Sequence, residues 1–75
     1  MDEFFDKVTD ERKVQLAKWG NSDHLNDVYN WGAYINAYTS RSLIGFPGVT
    51  EQRNAAFKAD MIKVAALALA AYQNL

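Results

Sequence analysis

The sequence predicts an all-α chain, a three-helix unit (helix, loop, helix, turn, helix) assembling with further copies of itself into a homo-oligomeric helical bundle. Three observations carry this expectation. From Val64 to Tyr72 no polar side chain occurs at any angle, which is the pattern of a buried helix and not of a surface one. The stretches Gly20-Asn21-Ser22-Asp23-His24-Leu25-Asn26 and Gly45-Phe46-Pro47-Gly48 are turn-rich and divide the chain into three helical segments. Finally, 75 residues leave little chain to wrap around so apolar a rod, so sister subunits are expected to cover it.

Each element has its own local cause. The first helix is expected from Met1 or Asp2 to about Trp19, with Asp2, Glu3 and Asp6 near the positive end of its dipole and Gly20 closing it. Phe4, Phe5, Val8, Leu16 and Trp19 form its apolar side. Glu11, Arg12 and Gln15 interrupt that side, either as a solvated rim of the core face, the expected case, or as a polar pocket wall. Asn26 or Asp27 is the candidate N-cap of a second helix running from about Val28 to Ile44. There Val28, Trp31, Gly32, Ile35, Thr39, Ser42 and Leu43 share one stripe, flanked beside Trp31 by Tyr34, Tyr38 and Arg41. Pro47 and Gly48 fit the second and third positions of a type II turn, which stops the helix. Thr50 then caps a third helix reaching about Gln73, in which Ala55, Ala59, Ala66 and Ala70 fall near one line. A partner backbone could approach closely there, while Phe57, Met61, Val64, Leu67 and Leu69 add bulk elsewhere.

Composition narrows the class. At 49% hydrophobic and 23% charged, residues 1–75 read as a single ordered domain rather than a disordered segment. A domain this short rarely gains more than roughly 3–5 kcal/mol from its core. There is no Cys and a single His, His24, so neither disulfides nor a zinc site is expected, and oligomerisation is the remaining support. Eight basic residues nearly balance nine acidic ones without a like-charge block, so no nonspecific nucleic-acid binding is expected. Met1-Asp2-Glu3 is acidic with no apolar run behind it, and the carboxy-terminal apolar stretch is shorter than the roughly 20 residues of a membrane span. A cytoplasmic location without membrane attachment is the expectation.

No nucleophile-base pair, phosphate loop or Gly-x-Ser-x-Gly elbow is present. Asp6, Asp10, Glu11, Asp23 and Asp27 are scattered in a way that fits solubility better than cation binding, so neither a metal nor a cofactor is expected. The unusual feature is the ladder of Trp31, Tyr34, Tyr38 and Arg41. It offers flat apolar area, hydroxyls and a guanidinium together, suited to stacking on a base and gripping a phosphate, or else to a core edge or a subunit interface.

The segment Val8-Thr9-Asp10-Glu11-Arg12-Lys13-Val14-Gln15-Leu16-Ala17-Lys18-Trp19-Gly20, followed by His24, resembles the opening Glu-Arg-x-x-Gln-x-x-Lys-Trp-Gly…His segment of phage-encoded MazG-like nucleotide pyrophosphohydrolases. Phe57 to Ala71 is similar to their closing helix. The resemblance implies an all-α fold in which helices of two or more subunits build a nucleotide pocket. It also implies a Glu-Glu-x-x-Glu set on the second helix holding Mg²⁺. The matching stretch here reads Ala37-Tyr38-Thr39-Ser40-Arg41, with all three acids gone. Without them nothing holds the cation that activates water, so the reaction is expected to be absent while ligand binding persists.

Together these readings give a non-catalytic, oligomeric, phage-type protein that sequesters a nucleotide or nucleotide-derived signal and so counteracts a host defence. The expected ligand contacts are Arg12, Gln15, Trp19, Trp31, Tyr34, Tyr38 and Arg41: Trp19 or Tyr34 stacking on a base, Arg12 and Arg41 facing phosphates, and Gln15 reading an edge. A small helical inhibitor or adaptor of a host protein, presenting the aromatic stripe as a flat patch, is the alternative. Residual pyrophosphohydrolase activity ranks below both.

Overall fold

The computed structural model describes the backbone of residues 2–44 and 50–75 and the side chains of residues 3–40 and 50–75. Its elements are α1 (Asp2–Trp19), a 3-10 turn (Asp23–Leu25), α2 (Val28–Ile44) and α3 (Thr50–Asn74), with no strand among the described residues. The helices lie where the sequence places them, except that Thr50 is the first residue of α3 rather than the cap before it and α3 ends at Asn74. The turn expected at Gly45-Phe46-Pro47-Gly48 lies outside the described residues, as do the side chains of Arg41, Ser42 and Leu43.

Local chemistry explains the boundaries. The Gly20 N–H donates to the Leu16 carbonyl at 2.9 Å. A Cβ at this position would stand 2.5 Å from that oxygen, so the close approach requires glycine. Ser22 donates its backbone N–H and its hydroxyl to the Trp19 carbonyl, at 2.9 and 3.1 Å, tying off the end of α1. At the start of α2 the Asn30 N–H donates to Asp27 Oδ1 at 2.9 Å. Asp27 is therefore the N-cap, a contact that contributes about 1 kcal/mol.

At 1.5 Å per residue α3 should be roughly 37 Å long, and it sets the 39 Å long dimension of the molecule. Both α1 and α2 pack against it, with far less contact between those two helices among the described residues. The radius of gyration, 13.2 Å, exceeds the roughly 11 Å of a compact chain this long. The two shorter helices thus stand apart over a common floor, and the space between them becomes a pocket.

Trp31, Leu67 and Ala70 form the core cluster, with Ile35, Tyr38 and Ala71 packed against it. Ala66 and Val8 are also buried. On α1 the expected apolar face is corrected. Phe4, Phe5, Leu16 and Trp19 are exposed, and the inward stripe is Val8, Arg12 and Gln15 at i, i+4 and i+7. Arg12 and Gln15 are therefore not a solvated rim. On α2 Val28 and Gly32 point outward, so the inward set is Trp31, Ile35, Tyr38 and Thr39. The alanine line of α3 divides: Ala66 and Ala70 are buried against the chain's own helices, while Ala55 and Ala59 are exposed. Leu69 and Tyr72 remain exposed, so the two shorter helices leave part of the rod uncovered. No helix among the described residues is long and apolar enough to cross a membrane.

Candidate ligand-binding pocket

Four of the nine buried residues among those described are polar or charged: Arg12, Gln15, Asp23 and Asp60. That proportion is high for so small a core. Three of the four, Arg12, Gln15 and Asp23, line a pocket of about 430 Å³ between the splayed helices, a volume within the usual range of small-molecule sites.

Its first wall is α1. Glu11, Arg12, Val14, Gln15, Lys18 and Trp19 face it, on consecutive turns of one side of that helix. The connecting loop adds Ser22, Asp23 and Asn26 at one end. The opposite wall is α2, with Trp31, Tyr34, Ala37 and Tyr38, and Lys63 and Leu67 of α3 make the floor. Two matched stripes face each other across the space: 12, 15, 19 on α1 and 31, 34, 38 on α2.

The polar groups are held in distinct ways. Arg12 Nη2 donates to Asp23 Oδ2 at 3.1 Å, an ion pair whose side chains are each only 8% exposed. The single-turn helix at Asp23–Leu25 places that carboxylate there, since Leu25 N–H and Asn26 N–H close the turn onto the Ser22 and Asp23 carbonyls. Lys63 of α3 reaches Glu11 of α1 at 3.6 Å, a partly exposed pair. Tyr34 Oη donates to Asn26 Oδ1 at 3.2 Å, which ties the middle of α2 to the loop. Trp31 and Tyr34 meet edge to face, with centroids 5.9 Å apart and planes at 89°. Lys18 Nζ stands 5.6 Å from the Trp19 ring centroid, a cation–π contact.

Four buried polar atoms have no partner among the described residues: Arg12 Nε, Arg12 Nη1, Gln15 Oε1 and Trp31 Nε1. All belong to side chains lining this pocket. A buried polar atom left unpaired costs about 1–3 kcal/mol, so four of them weigh heavily against a core worth roughly 3–5 kcal/mol. The pocket is the side from which a ligand could supply what they lack. The unpaired set comprises N–H donors on Arg12 and Trp31 and one acceptor on Gln15, a combination that suits a ligand rich in oxygen with one donor group.

Six of the seven expected contact residues therefore come together: Arg12, Gln15, Trp19, Trp31, Tyr34 and Tyr38. The Arg41 side chain lies outside the described residues. Trp31 serves as buried core as much as pocket wall, whereas Trp19 and Tyr34 are exposed enough to take a stacking partner. The pocket forms within one chain, whereas the resemblance implied walls from two or more subunits. Ala37 and Tyr38, in the stretch matching the missing acids, do line it. Lys18, Asp23, Asn26 and Lys63 are wall residues that the pattern of the sequence did not single out, whereas Glu11 falls on the wall with Arg12 and Gln15, the second of the two roles offered for those three. His24 sits exposed in the 3-10 turn. Among the described residues no three His, Asp or Glu side chains gather where they could share a metal ion.

No family model matches this chain, and no curated protein or solved structure does. The likeness to MazG-like enzymes rests on the two segments quoted above, and the reading of function rests on the pocket.

Proposed function

We propose that this protein holds a nucleotide, or a small signal derived from one, in the pocket between its three helices without turning it over. The observation that supports the reading best is the group of unpaired buried polar atoms on Arg12, Gln15 and Trp31 at the wall of a pocket whose rim carries Trp19 and Tyr34. In this reading Trp19 or Tyr34 stacks on the base, the free N–H groups of Arg12 take phosphate oxygens, and Gln15 reads the edge of the ring. Ala37-Tyr38-Thr39-Ser40 offers no carboxylate for a catalytic cation, which favours sequestration over hydrolysis. In a phage setting, withdrawing such a molecule would blunt a host defence. Self-association belongs to the same proposal, supported by the exposed Leu69 and Tyr72 on α3 and Leu75 just beyond its end.

The alternative, an inhibitor that presents the aromatic stripe to a host protein, is less well supported. Trp31 is 3% exposed and Tyr38 is half-buried, so the stripe is not offered as a flat patch. Titration calorimetry with a panel of nucleotides and cyclic nucleotides is expected to show saturable binding of at least one at a stoichiometry of one per chain. No heat with any of them at millimolar concentration would sink the proposal.

A further inference from the structure

Among the described residues the pocket wall carries three cations, Arg12, Lys18 and Lys63, and two carboxylates, Glu11 and Asp23. Two of the cations are already matched inside the molecule, Arg12 by Asp23 at 3.1 Å and Lys63 by Glu11 at 3.6 Å. Among these described groups one positive charge, that of Lys18, is left over. Asp23 matters most, because its carboxylate shares the Arg12 guanidinium on which the nucleotide reading seats a phosphate. A second negative charge brought to that guanidinium meets Asp23 in a buried setting, where repulsion is poorly screened. A single negative charge is balanced across the wall by Lys18, the cation that neither carboxylate engages.

We infer that the pocket selects a monoanionic phosphodiester joined to a base, and that Asp23 sets this choice by holding part of Arg12. The inference rests on the nucleotide reading above and specifies its ligand. A 3′,5′-cyclic monophosphate and the diester linkage of a linear dinucleotide share this chemistry. A nucleoside monophosphate, largely dianionic at neutral pH, and a triphosphate do not. Like-charge contact across a binding surface is costly enough that a preference of about tenfold is expected.

The test is calorimetry on the full chain with a base-matched series: the cyclic monophosphate, the linear dinucleoside monophosphate, the 5′-monophosphate and the triphosphate. Either diester is expected to bind about tenfold more tightly than the triphosphate, and the tighter of the two identifies the source of the linkage. Asp23→Asn keeps an acceptor for Arg12 and removes the charge, so it should shift the balance towards the dianionic monophosphate by about tenfold. Glu11→Gln makes the same charge change at a partly exposed position, so a smaller shift in the same direction is expected even if Asp23→Asn folds poorly. A triphosphate that outbinds both diesters, or folded variants that leave the ratio unchanged, would overturn the inference. Binding in the wrong charge order contradicts this assignment alone, whereas no binding by any member contradicts the nucleotide reading itself.

Discussion

Arg12→Ala is expected to abolish the folded state of the isolated chain. Arg12 is 7% exposed and its ion pair with Asp23 joins the middle of α1 to the loop that leads into α2. Removing the guanidinium leaves Asp23 buried at 6% exposure without its cation. Breaking a buried pair from one side costs about 3–5 kcal/mol. The whole core of a domain this size supplies roughly that much, so no margin remains. Far-UV circular dichroism with urea titration should show lost helicity or a midpoint near zero denaturant. The double variant Arg12→Met with Asp23→Leu separates charge burial from shape, because replacing both partners by apolar groups of similar volume is often neutral or stabilising. It should recover helicity while losing the guanidinium needed for an anion. A single variant with the wild-type midpoint would show that the pair contributes nothing to the fold.

Ala66→Glu is the second change expected to prevent folding. Ala66 is 0% exposed in the middle of α3, one residue from the Leu67 of the core cluster. A glutamate there must push α1 or α2 away or bury an ionised carboxylate, and the effective penalty for a buried ion is several kcal/mol even after relaxation. Sequence pattern alone assigned this position to close contact with another subunit or to the interior. The structure places it against the chain's own helices, so the loss falls on the fold of each protomer and not only on assembly. Circular dichroism and solution mass measured together check this: helicity and compactness should disappear. A variant with native helicity would mean that Ala66 is not packed as described.

Helix positions were legible because their stops are chemical. Gly20 is forced by a carbonyl 2.5 Å from where its Cβ would stand, and Asp27 caps α2 with a short local hydrogen bond, so both signals sit within a few residues of what they control. The inward face of α1 was not legible. Apolar periodicity selects Phe4, Phe5, Val8, Leu16 and Trp19, yet of these only Val8 packs inward, in a stripe with Arg12 and Gln15. Buried polar residues are invisible to a rule that equates inside with apolar, and the partner of Arg12 is Asp23, which no helical spacing relates to it. The pocket residues were more legible than the core. Trp31, Tyr34 and Tyr38 share one helical side at spacings of three and four, as do Arg12, Gln15 and Trp19, and each stripe mixes aromatic with polar character in a way a plain core does not need. Which two stripes face each other depends on how α1 and α2 cross α3, and that is a tertiary fact. The pairing of Lys63 with Glu11 escaped notice for the same reason, since they meet only once α1 lies along α3.

The central claim is that the space between α1 and α2 is a nucleotide site, and the two tryptophans report on it directly. Both Trp19 and Trp31 line the pocket, one at its exposed rim and the other with a buried indole N–H that has no partner among the described residues. In a ¹H–¹⁵N spectrum of the labelled protein, titration with the nucleotide bound most tightly in calorimetry should move both indole cross-peaks along one saturable isotherm. Trp31 should shift downfield as its N–H gains an acceptor. If both indole resonances stay still while the nucleotide is demonstrably bound, the ligand sits elsewhere and the pocket described here is not its site.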